Sequence, residues 1–310
     1  MRALVLTAGL GTRLQPLTLA RAKAAAPVDG DPLARRTIRW LVSQGFIDLV
    51  LNLHHKPESI TAAVGDGGDL GARVRYSWES PVLGSAGGPR HALPLLLDRA
   101  DPTFILVNGD TLTDLDLQAM IDDHRRHGAL VTMAVIPNPR PDKYGGVRLD
   151  HRRAALGFAR RGSTGENFHF IGPQIVEAEV FASLPDGVPS ESVLQVYPDL
   201  IASRPGSVRG FVGDWSFRDI GTPADLLQTS LDLADEDGRP DRPRWGRRVR
   251  VAASARVTRS VLWDDVEIGE GATLHECVIA DGVHVPAGAA HRRAAIVRNG
   301  ADLIVTPLDP

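Results

Sequence analysis

The stretch TAGLGTRLQPLT spans residues 7–18 and overlaps the end of the apolar run ALVLTA at residues 3–8. A glycine-rich loop in this position is typical of phosphate binding, because Gly9 and Gly11 let backbone amides approach oxygens that a Cβ atom would block. The stretch lacks the lysine and the spacing of a Walker loop. It also lacks the third glycine of a dinucleotide-binding loop, because Leu14 stands in that place. It therefore predicts a strand of an α/β sheet followed by a phosphate-handling loop of another kind.

From Met1 to Asp235 the chain alternates short apolar runs with amphipathic segments. The later apolar runs are IDLVLNL (47–53), RVRYSW (73–78), TFILVNG (103–109) and LVTMAVI (130–136), and the amphipathic segments lie near 33–44, 57–64, 86–97 and 115–127. This alternation predicts a Rossmann-like, mostly parallel sheet with helices on both faces. Such sheets bind ligands at the carboxyl ends of their strands, so the opening loop and the NGD at 108–110 are candidate site residues.

The C-terminal part of the chain carries a 17-residue repeat. Val249, Val266 and Val283 form one column, and further columns at the same period start at Val251, Ala255, Ser260, Val261 and Leu262. Hexapeptide-like steps within each repeat predict a short left-handed parallel β-helix, with a plain antiparallel strand pair as the alternative. So few coils are not expected to stand alone, and we expect them to pack on the first domain or on a partner subunit. The chain therefore divides into a first domain at 1–235, a polar linker at 236–248 and the β-helix at 249–310.

The composition limits the classes of function. With 43% hydrophobic and 24% charged residues the chain has the composition of a soluble globular protein, and its net charge of −3 provides no basic field for nucleic acid. Cys277 is the only cysteine, which excludes a disulfide framework and fits a reducing compartment. No signal peptide and no apolar segment of roughly 20 residues is present, so we expect a cytoplasmic protein that does not enter a membrane.

Several motifs, in order, resemble the sugar-1-phosphate nucleotidyltransferases, also called NDP-sugar pyrophosphorylases. The run G-x-G-T-R-L-x-P-L-T, with Lys23 and the P-V at 27–28, resembles the signature of that family. The later matches are LGSAGG (83–88), LVNGD (106–110), YGGV (144–147) and DWSFRDIGTP (214–223). The resemblance covers the first domain, which it identifies as catalytic, and β-helix tails are common in the family. It implies an enzyme that transfers a nucleotidyl group from an NTP to a sugar 1-phosphate and releases pyrophosphate.

The resemblance also implies roles for the residues of the opening loop. Arg13 would hold the β- and γ-phosphates and steady the departing pyrophosphate, and Lys23 would bridge phosphates. This reaction requires charge neutralisation and alignment, because the substrates supply both nucleophile and leaving group. In the family a proline precedes this lysine, whereas Ala22 stands here, so the local backbone is expected to differ. The expected nucleotide-binding residues are Ala8, Gly9, Gly11, Thr12, Glu79, Gly84, Ser85 and Gly87.

Two aspartates are the expected metal ligands. Asp110 ends the strand LVNGD, and Asp219 lies in the stretch before IGTP. Two carboxylates on one Mg²⁺ would suit an octahedral hard cation that also holds phosphate oxygens. Each aspartate could instead cap a helix or stabilise a turn, but a buried aspartate without a cation is costly, which favours the metal. The histidines show no spacing that a d-block ion would require.

The sugar site is less clear from the sequence. Tyr144 and Gly145 match a Y-G motif that places a backbone amide near the sugar, and Gly172 lies in a strand that resembles the floor of the sugar pocket. Many members then carry E-K-P, whose lysine grips the sugar phosphate. This chain has Ala-Arg-Arg-Gly at 159–162 instead. Either Arg160 or its neighbour substitutes for that lysine, or both are surface charges.

The nucleobase is a choice between guanine and uracil. Glu79 precedes LGSAGG, and a carboxylate can accept both the N1–H and the N2–H of guanine, whereas uracil offers one such hydrogen. LGSAGG resembles the L-G-T-A-G of mannose-1-phosphate guanylyltransferases, which favours GTP and mannose 1-phosphate. Residues 83–114 are also similar to N-acetylmuramate-1-phosphate uridylyltransferases. The alternative is therefore a uridylyltransferase acting on N-acetylmuramate 1-phosphate or another hexose 1-phosphate.

Two other classes of function fit the sequence less well than an active transferase. A non-catalytic, NDP-sugar-binding regulatory subunit should have lost Arg13, Lys23 or an aspartate, and this chain keeps them all. An acyltransferase would need more coils than these and a catalytic histidine between them. His275 and His284 lie within the repeat, but two to three coils form a poor groove for an acyl donor. We therefore expect small-molecule substrates, and a homo-oligomer formed through the β-helix.

Overall fold

The computed structural model describes residues 1–97 and 101–308, and it divides into two compact units. The first unit contains Met1–Gly9, Thr37–His55 and Val64–Phe217, and the second contains Leu10–Arg36, Lys56–Ala63 and Arg218–Pro310. The division does not follow the expected boundary after residue 235, because much of the opening loop and the segment after residue 217 group with the β-helix. The expected segments 1–235, 236–248 and 249–310 stay a prediction.

The strands before the repeat are short and mostly buried. In chain order they are β1 (Arg2–Leu6), β2 (Pro27–Val28), β3 (Asp31–Pro32), β4 (Asp48–Leu53), β5 (Arg73–Trp78), β6 (Thr103–Asn108), β7 (Thr111–Thr113), β8 (Val131–Pro137), β9 (Gly146–Leu149), β10 (Ala155–Ala159), β11 (Phe168–Glu177), β12 (Val208–Val212) and β13 (Phe217–Asp219). The predicted apolar runs coincide with β1, β4, β5, β6 and β8 to within two residues at each end.

A nine-stranded mixed sheet organises the first unit. Strands β6, β1, β4 and β5 are parallel neighbours in that order, and β12 runs parallel to β8. Strand β11 is antiparallel to β6, β8 and β9, and β10 is antiparallel to β9. The sheet is Rossmann-like in its parallel half. Because β11 is antiparallel to its neighbours, the sheet as a whole is mixed.

The α-helices are α1 (Leu33–Ser43), α2 (Pro57–Val64), α3 (Gly84–Leu96), α4 (Leu117–His127), α5 (Glu179–Ala182), α6 (Tyr197–Ser203) and α7 (Pro223–Glu236). Helix α3 packs on β1 and β4, and α4 packs on β8 and β11. The consecutive residues Ala3, Leu4 and Val5 are all fully buried. Because neighbouring residues of a strand point to opposite faces, the sheet is covered on both faces at β1, as the sequence predicts.

The repeat forms a short left-handed parallel β-helix in the second unit. Its strands are β14 (Arg250–Val251), β15 (Arg256–Thr258), β16 (Val261–Leu262), β17 (Glu267–Ile268), β18 (Thr273–His275), β19 (Val278–Ile279), β20 (His284–Val285), β21 (Ala290–Arg292), β22 (Ala294–Asn299) and β23 (Asp302–Pro307). Three parallel sheets stack β14-β17-β20, β15-β18-β21 and β16-β19-β22, while β23 pairs antiparallel with β22. Val251 pairs with Ile268 and Ile268 with Val285, which is the predicted 17-residue register.

The coils are held by a buried apolar column and by ion pairs on their surface. Side chains such as Val266, Ile268 and Ile279 form a continuous core within the repeat. Outside it, Arg248 pairs with Asp265 and Arg250 with Glu267, and in both pairs the acid occupies the arginine's position in the next coil. At these two positions, successive coils therefore carry charges of opposite sign.

The polar segment before the repeat is attached within the second unit. Helix α7 extends to Glu236, and the Arg239 and Arg244 side chains form ion pairs with Asp29 at 2.6 and 3.7 Å. The Gly246 amide donates to the Leu262 carbonyl at 2.8 Å. The polar segment therefore contains few apolar residues because ion pairs, and not apolar packing, attach it to Asp29. Among the described residues, no helix is both long and apolar enough to cross a membrane.

Candidate active site

The opening loop passes from the first unit to the second after Gly9, so its two halves are described separately. In the first unit, Thr7 and Ala8 continue from the carboxyl end of β1. Both of their amides donate to Asn52 Oδ1, at 2.6 and 3.2 Å, and the Thr7 hydroxyl donates to the Asn52 carbonyl. Gly9 is exposed and has open space where a Cβ would stand. Asn52, at the end of β4, therefore fixes the start of the loop.

Glu79 is buried and links Asn52, near the end of β4, to the loop that begins at Leu83. Its Oε1 accepts from Asn52 Nδ2 at 2.7 Å, and its Oε2 accepts from the Leu83 amide at 2.8 Å. Both carboxylate oxygens thus bond to protein donors. The expected contact between Glu79 and a nucleobase stays a prediction, and the observed bonds give Glu79 the role of bracing the loop that begins at Leu83.

The LGSAGG loop leads into α3 and lies against residues 188–192. Ser85 Oγ donates to Glu191 Oε2 at 2.6 Å, and the amides of Ala86 and Gly87 donate to the Ser190 carbonyl. A Cβ on Gly87 would stand 2.6 Å from the Val188 carbonyl oxygen. The glycine is therefore required by a neighbouring segment of the protein itself, and nucleotide binding by Gly84, Ser85 and Gly87 stays a prediction.

In the second unit, the loop folds back on itself. Gly11 has φ +61°, and a Cβ there would stand 2.8 Å from Thr18 Cγ2 and 3.1 Å from Lys23 Cβ. The Thr18 hydroxyl donates to the Gly11 carbonyl at 3.2 Å. Gly11 and Lys23 therefore lie together, as a shared phosphate role requires, while the following residue Thr12 is exposed.

The Arg13 side chain is exposed and lies against the IGTP segment. A Cβ on Gly221 would stand 2.8 Å from Arg13 Nη1. Asp225 Oδ2 accepts from the amides of Gly221 and Thr222, at 3.2 and 2.9 Å, and this capping box begins α7. Two motifs that are far apart in sequence thus meet around Arg13.

The two expected metal ligands belong to different units. Asp110 follows β6 in the first unit and Asp219 ends β13 in the second, and both are partly buried. Over the described ranges, no cluster of three or more His, Cys, Asp or Glu side chains suits a metal ion. The donor chemistry nevertheless fits Mg²⁺, because Mg²⁺ is commonly held by one or two carboxylates together with substrate phosphates and waters.

Some of the expected sugar residues line a cleft of about 610 Å³ in the first unit. Gly145 and Arg160 lie in its wall, next to Phe158, His169, Phe170 and Leu194. Tyr144 stacks on His169 with ring centroids 4.2 Å apart. Gly172 is buried in β11, where the register to β8 shifts, and is not in the wall. Arg160 is exposed, as either of its expected roles requires.

Three residues of this region were missed by the sequence interpretation. Asn52 was detectable as a polar side chain just before the last residue of an apolar run, at a strand's carboxyl end. Glu191 and His169 act through contacts with segments distant in sequence, so no local pattern indicates them.

Comparisons with known proteins find the same two parts of the chain, a nucleotidyl transferase region followed by hexapeptide repeats. Residues 2–236 match the family model described as "Nucleotidyl transferase", and residues 244–291 match "GlmU-like, C-terminal hexapeptide". A mannose-1-phosphate guanylyltransferase of Mycobacterium tuberculosis is 30% identical, over 92% of this chain and 81% of its own. A UTP–glucose-1-phosphate uridylyltransferase of Synechocystis is 29% identical, over 86% and 72%. The crystal structure of HddC from Yersinia pseudotuberculosis complexed with GMP-PN has a similar fold, with a TM-score of 0.65 and 23% identity over 75% of this chain and 99% of that one.

Proposed function

Since this chain belongs to the sugar-1-phosphate nucleotidyltransferases, we propose that it is a mannose-1-phosphate guanylyltransferase, which joins GTP and mannose 1-phosphate to give GDP-mannose and pyrophosphate. The packing of Arg13 against the IGTP segment is the observation that carries the reaction class. A guanidinium in this position offers a planar fork of donors to a polyphosphate. The similarity to the mycobacterial enzyme and the LGSAGG loop support guanine and mannose as the specific substrates.

In this proposal the reaction is an in-line displacement. An oxygen of the sugar 1-phosphate attacks the α-phosphorus of the NTP, and the bond to the β-phosphate bridging oxygen breaks to release pyrophosphate. Arg13 and Lys23 bind the phosphates and balance the charge that collects on the leaving group. The backbone at Ala8, Gly9, Gly11 and Thr12 approaches the phosphates. Gly84, Ser85 and Gly87 are proposed to bind the nucleotide, and Glu79 to set the position of that loop.

Nucleotidyltransferases of this family generally use a divalent metal. We propose Mg²⁺, with Asp110 and Asp219 as its ligands. When bound, the ion would neutralise phosphate charge and polarise the phosphorus–oxygen bonds. Tyr144, Gly145, Arg160 and Gly172 are proposed as sugar-site residues, and Arg160 as the cation that faces the sugar phosphate.

A uridylyltransferase acting on N-acetylmuramate 1-phosphate is the second candidate. The cleft beside Gly145 is lined largely by apolar side chains, including Phe158, Phe170 and Leu194, with Arg160 as a cation in the wall. An acetamido methyl group and a lactyl carboxylate would suit that lining better than the hydroxyl groups of mannose do. The similarity to the Synechocystis enzyme supports uracil as the base.

We propose in addition that the chain forms homo-oligomers through the β-helix. Strands β14, β15 and β16 each pair along one side only within the described part of the chain. Light scattering of the full chain should give a multiple of 33.3 kDa. A mass of one chain at micromolar concentration would contradict this proposal and leave the proposed reaction unaffected.

The deciding experiment measures pyrophosphate release with Mg²⁺ over a grid of substrates. GTP, UTP, dTTP, ATP and CTP are each combined with mannose, glucose, N-acetylglucosamine and N-acetylmuramate 1-phosphates. GTP with mannose 1-phosphate is the pair expected to react, and Asp110→Asn should abolish that activity. Reaction only with UTP and N-acetylmuramate 1-phosphate would establish the second candidate. Binding of NDP-sugars without turnover of any pair would indicate a regulatory protein.

A further inference from the structure

Arg21 connects the opening loop to the β-helix, within the second unit. Its Nε and Nη2 atoms donate to the two carboxylate oxygens of Asp281, at 2.5 and 2.6 Å, and Nη2 also donates to Asp264 Oδ2 at 2.8 Å. The guanidinium carbon lies 5.7 Å from the centroid of the Trp263 ring. The side chain is only 17% exposed. A bidentate, largely buried contact of this kind fixes direction as well as distance.

The acceptors are themselves held in place by the coils. Asp264 and Asp281 occupy the same position in successive coils, and the Asp264 amide donates to Asp281 Oδ1 at 3.0 Å. The Arg247 amide donates to Asp264 Oδ1 at 2.7 Å, and Trp263 is fully buried. The two carboxylates are therefore a rigid feature of the β-helix, and the loop arginine contacts them from outside the repeat.

On the loop side, Arg21 stands two residues before Lys23. The Ala22 amide donates to Ser59 Oγ at 3.0 Å, and the Ala22 side chain is buried. In the nucleotidyltransferase signature this position is a proline, whose ring fixes its φ angle and which has no backbone N–H to donate. Here an alanine takes its place, and the Arg21 side chain and the Ser59 hydroxyl hold the backbone at the peptide that leads into it. The two contacts thus replace the stiffness that a proline provides.

We propose that Arg21 is a positioning residue for nucleotidyl transfer, and that the β-helix, through Asp264 and Asp281, holds residues 21–23 so that Lys23 can bind the phosphates. This inference rests on the proposed function. In this proposal the β-helix helps to position a phosphate-binding residue, whether or not the chain forms an oligomer. Lys23 lies beside Gly11, so displacement of residues 21–23 also disturbs the glycine loop.

The test compares Arg21→Gln, Arg21→Lys and Asp281→Asn with a matched control, all in the full chain. The control is Asp265→Asn, because Asp265 follows Asp264 on the same coil, is exposed and pairs with Arg248 instead of Arg21. A displaced catalytic group costs about tenfold to a hundredfold in rate. We expect Arg21→Gln and Asp281→Asn to lower kcat for pyrophosphate release by that range, and Asp265→Asn to keep the wild-type kcat.

Two further readouts separate positioning from a general loss of structure. KM for the sugar 1-phosphate should stay within about twofold of wild type, because Lys23 is assigned to the phosphates of the NTP, and Arg21→Lys should recover part of kcat by restoring the charge without the fork. Hydrogen exchange of the amides at residues 10–26 should be faster in Arg21→Gln and Asp281→Asn than in Asp265→Asn. The thermal unfolding midpoint should fall in Arg21→Gln and Asp281→Asn, because both break a largely buried ion pair, so kcat is compared at a temperature at which every variant is fully folded.

The outcomes are distinct. Wild-type kcat in Arg21→Gln, or an equal loss in Asp265→Asn, would overturn the inference, as would a loss of kcat no larger than the unfolded fraction at the assay temperature explains. If the wild type released no pyrophosphate from any substrate pair, the proposed function would fail instead. Hydrogen exchange would then test only whether Arg21 anchors residues 21–23 to the β-helix. Unchanged exchange at residues 10–26 in Arg21→Gln and Asp281→Asn would overturn that anchoring.

Discussion

Asn52 and Glu79 form a side-chain hydrogen bond of 2.7 Å that links the end of β4 to the loop before α3. Asn52 also accepts from the amides of Thr7 and Ala8, and Glu79 accepts from the Leu83 amide. One buried pair of side chains therefore holds both loops that are proposed to contact the nucleotide. Neither residue needs to touch a ligand to influence its binding.

Replacing Asn52 by alanine is expected to disturb stability and nucleotide binding together. It removes the partner of Glu79 and of two backbone amides, and each buried polar group left without a partner costs about 1–3 kcal/mol. We expect the free energy of unfolding in urea to fall by about 3 kcal/mol and KM for the NTP to rise about tenfold. Asn299→Ala, at an exposed strand end, should change the free energy of unfolding by less than about 0.5 kcal/mol. An unchanged KM in Asn52→Ala would contradict the bracing role.

Gly221→Ala is expected to act through Arg13. The new methyl group would stand 2.8 Å from Arg13 Nη1, and the flexible end of the arginine can move away at little cost to stability. We expect kcat for pyrophosphate release to fall about tenfold, with little change in the unfolding midpoint. In an Arg13→Gln background the same substitution should have almost no further effect. Additive losses in the double variant would show that Gly221 acts independently of Arg13.

Asp29 should make stability depend on acid pH. Burial raises the pKa of its carboxyl, but hydrogen bonds from Arg239 and Arg244 outweigh that effect and hold the pKa below its ordinary value. A group with a lowered folded pKa stabilises the fold above its unfolded pKa of about 3.9, and that contribution is lost as pH falls through the folded pKa. The contribution is therefore constant from pH 7 to about pH 5 and declines below about pH 4.

Asp29→Asn tests this dependence. Removing one partner of a buried ion pair costs about 3–5 kcal/mol, so the variant should unfold at a lower urea concentration at pH 7. The difference from wild type should narrow below about pH 4. Asp48→Asn breaks an ion pair with the highly exposed Arg73 and should cost less than about 1 kcal/mol. A gap that stays constant down to pH 3 would contradict the ionic role of Asp29.

Cys277 should be unreactive in the folded protein. Its thiol is fully buried in the core of the coils, and burial raises its pKa, which lowers the fraction of the reactive thiolate. We expect a disulfide reagent to label no thiol on the native chain within minutes and one thiol per chain in guanidinium chloride. Rapid labelling of the native protein would show that the coils open readily.

The repeat and the parallel half of the sheet were predictable because each depends on a local period. Residues of the columns that start at Val249 and Val251 meet the same surroundings in every coil, so the sequence repeats them. The antiparallel course of β11 was not predictable, because a strand's apolar pattern does not record its direction. The polar segment at 236–248 contains the arginines that neutralise Asp29, a buried aspartate near the other end of the chain, and ionic contacts of that range leave no periodic signal.

In the candidate site, too, features within one local motif were predictable, and contacts between distant segments were not. Arg13, Lys23 and Gly11 belong to one signature, and the structure places Gly11 beside Lys23. The two oxygens of Glu79, in contrast, bond to protein donors, and only tertiary structure could show that. Local motifs therefore indicate candidate site residues, and the fold determines which of their polar atoms are left free of protein partners.

The ion pairs that join equivalent positions of successive coils have a consequence for how this tail can evolve. Insertion or deletion of one residue within a coil would shift every later position, and each arginine would then face a residue other than its acidic partner. The apolar column would be lost in the same step. Insertion or deletion of a complete repeat keeps the register of the coils, so only the pairs that bridge the altered coil change partners. Changes of length by whole coils are therefore the ones that this arrangement tolerates best.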